Sequence, residues 1–171
     1  MTRRKLHYKE GDWFAVPLEG GGYALGLIAR MTRNCVALFG YFFGPRYRDI
    51  PTLADIASLR PEDAIERLRF GDLYLLEGEW PVLGALPGWD RQLWPVPSFA
   101  HRDRLSGRSY IRAYDENSMD LLTERAAGEE EIVGLPKDGP SGAGAVVSWI
   151  SHLIREQERA RPSPSASIVR A

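Results

Sequence analysis

The chain is poor in the residues that most often build a catalytic or metal site. Among 171 residues there is one cysteine, Cys35. That excludes an intramolecular disulfide framework and makes a reducing cytosol the natural compartment. Cys35 adjoins the apolar run Val36-Ala37-Leu38-Phe39, where a small buried hydrophobe is the plainer reading and a nucleophile the sharper one. The three histidines, His7, His101 and His152, are dispersed. No His-x-x-x-His or Cys-x-x-Cys spacing exists, so no metal and no cofactor are expected. Charge of one sign is also missing: 22 Lys and Arg against 23 Asp and Glu leave a formal net charge of -1. There is thus no global reason to expect a nucleic-acid or anionic-membrane partner. No run approaches the roughly 18 apolar residues of a membrane span. The basic start Met1-Thr2-Arg3-Arg4-Lys5 is followed by His7, Lys9, Glu10 and Asp12 where a signal peptide needs its apolar region, so a cytoplasmic protein is expected.

Glycine, proline and aromatics are plentiful. With 17 glycines and 12 prolines the chain predicts many turns and short strands, with helix in the minority. Gly11-Asp12-Trp13-Phe14-Ala15-Val16-Pro17-Leu18, then Glu19-Gly20-Gly21-Gly22, then Tyr23-Ala24-Leu25-Gly26-Leu27-Ile28-Ala29-Arg30 reads as a β-hairpin. Its aromatic and β-branched residues suit a pleated surface, and glycine supplies the positive φ of the turn. The triple glycine lacks the Lys and Ser/Thr of a phosphate loop and joins two strands. Asp12 and Asp72, each after a glycine, are expected to accept turn hydrogen bonds.

A third strand fits residues 35–43, ending at Gly44-Pro45. Thr52 with Asp55 resembles a capping box opening a short helix over residues 53–58, and Pro61-Glu62-Asp63-Ala64 is one turn at most. Residues 72–76 and 80–84 read as strands around a turn at Glu77-Gly78, echoing the first hairpin and hinting at an internal duplication. Residues 87–99 form a proline-held loop with Trp89 and Trp94. Residues 108–114 and 119–123 form a hairpin about an acidic turn, and Glu129-Glu130-Glu131-Ile132 starts a short helix. Residues 145–152 satisfy both periodicities; a strand to about Ile150 followed by a short helix is expected. One domain spanning residues 6–153 follows, with residues 1–5 and 160–171 as flexible termini. Its fold class is β-rich α+β: a twisted antiparallel sheet, a partly closed SH3-like barrel, and a few short helices.

The order of Gly11-Asp12-Trp13-Phe14, Gly22-Tyr23-Ala24-Leu25-Gly26, Gly40-Tyr41-Phe42-Phe43-Gly44, Phe70-Gly71-Asp72-Leu73 and Gly78-Glu79-Trp80-Pro81-Val82-Leu83-Gly84 resembles the immunity protein 26 family of bacterial polymorphic toxin systems. The likeness covers most of residues 8–153, including Gly139-Pro140-Ser141-Gly142. It implies a cytosolic, β-rich, non-enzymatic protein that protects its producer by binding a cognate toxin domain, and it brings no catalytic residues.

A tight interface wants rigid aromatic anchors ringed by charges. The partner-binding candidates are accordingly Trp89 and Trp94, Tyr41 and Tyr47 flanking Gly44-Pro45 and Arg46, and the acids Asp115, Glu116, Asp120, Glu129, Glu130 and Glu131. Each has a plainer role: the tryptophans as staples of their own loop, the glutamate run as a solvated helix start. Trp13 and Trp80 read as core. An enzyme would need convergent ionisable groups; carboxylates such as Asp72 and Glu77 could meet in space, but one sequence does not show that their pKa values diverge as acid–base work requires. A module for single-stranded nucleic acid is the alternative, from Arg46, Tyr47, Arg48 and Arg67, Arg69, Phe70; the near-zero charge argues against it.

Overall fold

A computed structural model describes residues 5–32 and 37–162; Cys35, the first four residues and the Pro/Ser-rich tail lie outside the described residues. The described residues form two sheets and four α-helices, with no closed barrel. Strands β1 (Asp12–Pro17), β2 (Tyr23–Met31), β3 (Ala37–Tyr47), β4 (Glu66–Gly71), β5 (Val82–Ala85) and β9 (Pro140–Ser141) make the first sheet, in the order β5-β1-β2-β3-β4-β9. Strands β6 (Phe99–Arg102), β7 (Ser109–Tyr114) and β8 (Leu121–Ala127) make the second. All named pairings are antiparallel except β4 with β9.

The first hairpin forms as expected, with Gly20, Gly21 and Gly22 at φ of 83°, 96° and 75° and Trp13 facing Leu27 across the pair. Both faces of this sheet are buried, which explains why β1 to β3 are almost continuously apolar. On one face Phe14, Val16, Ile28, Phe42 and Phe70 pack with Trp80 beneath α4 (Ala143–Ala160). On the other, Trp13, Leu25, Leu27, Phe39, Tyr41 and Phe43 meet Trp94, Phe99 and Met119. Each such side chain withdrawn from water contributes about 1.5–3 kcal/mol. The rings interlock: Phe14 stacks on Trp80 at 5.3 Å and meets Phe42 edge-on at 5.9 Å.

Several elements depart from the sequence-based expectation. Residues 145–150 are helix, not strand: in α4, Ala143, Val146, Ile150 and Ile154 recur at helical spacing and turn into the core, while Trp149 is 44% exposed. Residues 73–76 are the single-turn helix α2 (Leu73–Leu76), not a strand. Leucine favours helix, and Gly78 at φ 78° stops it. The second Gly-Asp segment is therefore a helical turn leading into β5, and its echo of the first hairpin is one of sequence only. Strand β4, unforeseen, alternates inward Leu68 and Phe70 with Arg67 and Arg69. Strand β3 continues through the cis Gly44-Pro45 bond to Tyr47. Its pairing with β4 ends at Phe42, so Pro45 removes no ladder bond on that side. The short helix α1 (Leu53–Ile56) is one turn, with Thr52 N donating to Asp55 Oδ2 at 2.8 Å as the capping-box reading requires. The 3₁₀ turn at Pro61–Asp63 and helix α3 (Glu129–Ile132) match their expected positions.

Phe14 lies where a side chain of Gly26 would stand, so a Cβ at Gly26 would collide with its ring. Gly26→Ala is expected to lower stability by about 1–3 kcal/mol through overpacking. Gly71→Ala, where a Cβ meets nothing within 4 Å, is expected to leave the melting temperature nearly unchanged; thermal unfolding of the two variants checks this.

Candidate functional site

Most of the partner-binding candidates hold the fold together. Tyr41 is 2% exposed and donates its hydroxyl to Pro95 O; burial pushes that phenol up to about 12. Trp94 is buried edge-on against Trp13, Tyr41 and Phe43 at 5.7, 5.2 and 6.0 Å. Trp89 lies on Gly11, where a Cβ would approach its ring to 2.9 Å. Both tryptophans thus sit where a loop staple would. Arg46 donates to Glu158 Oε1 at 2.9 Å and to Gly21 O, tying α4 to the first turn, and Tyr47 is half-buried beside it.

The acidic turn is equally engaged. Glu116 Oε2 accepts from Arg30 Nη2 at 2.7 Å, and Arg30, with no exposed side-chain surface, also donates to Ala29 O and Arg91 O. Arg91 in turn reaches Glu10, Asn117 and the Glu116 carbonyl at 2.7, 2.6 and 2.9 Å. Asp115 Oδ1 accepts from Asn117 N and Ser118 N, both at 2.8 Å, while Asp120 is exposed. Met119, at φ 59°, seats its side chain in the core. Glu129 accepts from Arg102 and from Ser109 Oγ; Glu131 accepts from Arg125 at 2.8 Å and from Gly128 N, which together hold its carboxyl below the usual range. Glu130 alone of this run is exposed with no hydrogen bond or ion pair to another described residue.

One buried carboxylate bridges the second sheet and the first. Asp138, its side chain 1% exposed, receives Arg69 Nη2 at 3.1 Å, Arg112 Nη1 at 2.9 Å and Tyr114 Oη at 2.8 Å. Arg69 also stacks on the Tyr114 ring at 4.3 Å. Burial and its bond to Asp138 hold the Tyr114 phenol above its ordinary range. His101 Nδ1 stands 3.9 Å from Asp138 Oδ2, outside hydrogen-bond reach. Asp72 accepts from Tyr8 Oη at 2.5 Å instead of from a backbone amide, whereas Asp12 accepts from Lys9 N at 2.9 Å as a turn aspartate should. Among the described residues, no three His, Cys, Asp or Glu side chains gather as metal ligands.

Among the surfaces that stay open is one that sequence reasoning passed over. The β6–β7 turn, residues 103–108, is locked by Asp103, whose Oδ1 accepts from Leu105 N, Ser106 N and Ser106 Oγ at 2.9, 2.7 and 3.0 Å. Those bonds hold the carboxyl below its usual range. Leu105, at the tip, is 99% exposed. Two hollows flank the turn: one of about 780 Å³ lined by Ala100, Leu105, Ile132 and Leu135, the other of about 400 Å³ lined by Leu68, Val146 and Trp149. Arg104, Lys137 and Asp138 line both. The signal was present as Asp103-Arg104-Leu105-Ser106-Gly107, turn chemistry with a leucine in it.

The sequence model of the family described as Immunity protein 26 matches residues 9–111, more than half of the chain. The chain belongs to the immunity protein 26 family. No curated protein and no solved structure matches it. The family match takes in the first sheet as far as β5, the 103–108 turn and part of β7, while Lys137, Asp138 and α4 lie beyond it. In this immunity protein 26 chain the surface is therefore completed from outside the matched segment.

Removing the Asp138 carboxylate would leave two arginines without their shared counter-charge between the sheets. Asp138→Ala is expected to cost about 3–5 kcal/mol, the range for breaking a buried ion pair from one side. Chemical denaturation with intrinsic tryptophan fluorescence reads it.

Proposed function

We propose that this chain is an immunity protein that acts in the cytoplasm of the cell that makes it, binding a cognate bacterial toxin domain and neutralising it by occlusion, with no bond made or broken. The observation that carries this reading is the family match over residues 9–111. The fold is suited to it. A sheet buried on both faces and stapled by Trp94, Arg30 and Asp138 presents its surface already formed, so little ordering cost is left for association. No helix among the described residues is long and apolar enough to cross a membrane. We take the unit that does this to be the single domain of residues 6–153.

The reading as a module for single-stranded nucleic acid has less support. Of the residues that suggested it, Phe70 is buried, Arg46 is paired with Glu158, and Arg69 is paired with Asp138 and stacked on Tyr114. None of the three is offered to a base or a phosphate, which leaves the half-buried Tyr47 and Arg67 and the exposed Arg48 of the six.

Co-expression with the toxin domain encoded beside this gene tests the proposal. Growth is expected to be restored, and the two chains are expected to elute together from a sizing column. Continued killing with no complex on the column would contradict it.

A further inference from the structure

The two hollows beside the 103–108 turn are separated by Arg104 and Lys137, which line both. Both side chains are exposed, and neither forms an ion pair with another described residue. The acids around them are already engaged from within. Asp138 is taken by Arg69 and Arg112. Asp103 is turned onto its own loop by Leu105 N and Ser106. Glu129 is held by Arg102 and Ser109. Glu66 accepts Trp149 Nε1 at 2.7 Å. In a chain with one more acid than base, this surface keeps free cations while the carboxylates named here already have partners.

Two apolar groups beside these cations, Leu105 and Trp149, are left open to solvent. Leu105 is 99% exposed, yet its loop is held by Asp103, by Asp103 N donating to Arg108 O at 2.9 Å, and by Gly107 N donating to Asp103 O at 2.9 Å. A leucine presented on a fixed turn loses little freedom when covered, which is what an interface anchor requires. On the far side of the cations, Trp149 is 44% exposed and held by Glu66 and by stacking on His152 at 5.4 Å. The result is a rigid apolar group on either side of a pair of unpaired cations.

We infer that this ridge is where the toxin domain docks, and that the toxin meets it with an acidic surface: carboxylates set against Arg104 and Lys137, apolar side chains filling the hollows beside Leu105 and Trp149. The inference rests on the immunity reading. Charge complementarity selects an acidic partner, and the mainly apolar lining of the larger hollow, with Leu105 at its edge, selects a protein surface over a phosphate backbone.

The test uses the purified full chain and the C-terminal domain of the secreted protein encoded directly upstream of its gene, with affinity measured by calorimetry. The variants are R104E/K137E, L105A, and the charge-matched control K5E/R161E. Each replaces exposed side chains that have no ion-pair partner among the described residues, so circular dichroism and melting temperature are expected to match the parent. R104E/K137E is expected to weaken binding about 100-fold or more, L105A about 10-fold, and the control less than about 3-fold. Replacing the facing toxin acids by lysine is expected to restore affinity for R104E/K137E. If the parent binds and R104E/K137E binds equally well, the docking face is wrong while the immunity reading stands. If the parent neither binds nor protects, the immunity reading fails and takes this inference with it. A single-stranded oligonucleotide of about 12 nucleotides that binds the parent but not R104E/K137E, and displaces the toxin, would overturn the acidic-protein assignment in favour of nucleic acid.

Discussion

A carboxylate cannot be withdrawn from water without a counter-charge, and the arrangement of this molecule follows from how Asp138 meets that demand. Arg69 reaches it from β4 and Arg112 from β7, so a single side chain ties the two sheets together. The backbone around it does the same. Asp138 N donates to Ala100 O at 2.7 Å, Ala100 N donates to Pro136 O at 2.9 Å, and Pro140 pairs with Arg69. The segment from 136 to 141 therefore runs between the edge of β6 and the edge of β4, and Lys137 is fixed on its outer side between two anchored neighbours.

The same logic accounts for the acidic turn. Arg30, wholly buried in β2, would be an uncompensated cation but for Glu116, 86 positions along the chain. Glu116 can reach it because Met119 is seated in the core beneath the turn. Apolar burial sets where the second sheet lies, and the arginine–carboxylate pairs set its register on the first. Both leave the 103–108 turn facing outward, which is why the free cations and the exposed leucine gather there.

Much of the fold was legible in the chain. The glycine turn and its aromatic strands, the Thr52–Asp55 cap, the hairpin about the acidic turn and the β-rich class all follow from local chemistry. Helix α4 was not, because residues 145–152 satisfy two periods at once and only the core under Val146 and Ile150 decides between them. Strand β4 was hidden by the arginines alternating with Leu68 and Phe70. The proposed docking surface was least legible. Candidates chosen by residue type, such as Tyr41, Trp94, Arg46 and Glu116, prove to be engaged by partners far away in sequence. Pairing at that range leaves no local trace. Arg104 and Lys137 stand out only once Asp103 and Asp138 beside them have been assigned partners.

The central claim is that the chain works by covering another protein with its 103–108 turn and the segment from 132 to 142. Amide hydrogen exchange, compared between the free protein and its complex with the cognate toxin domain, tests this most directly. Slowed exchange confined to those two segments and the start of α4 is the predicted result. Protection appearing instead at the first hairpin or along the exposed edge of β8, with the 103–108 turn exchanging as in the free protein, would contradict the account.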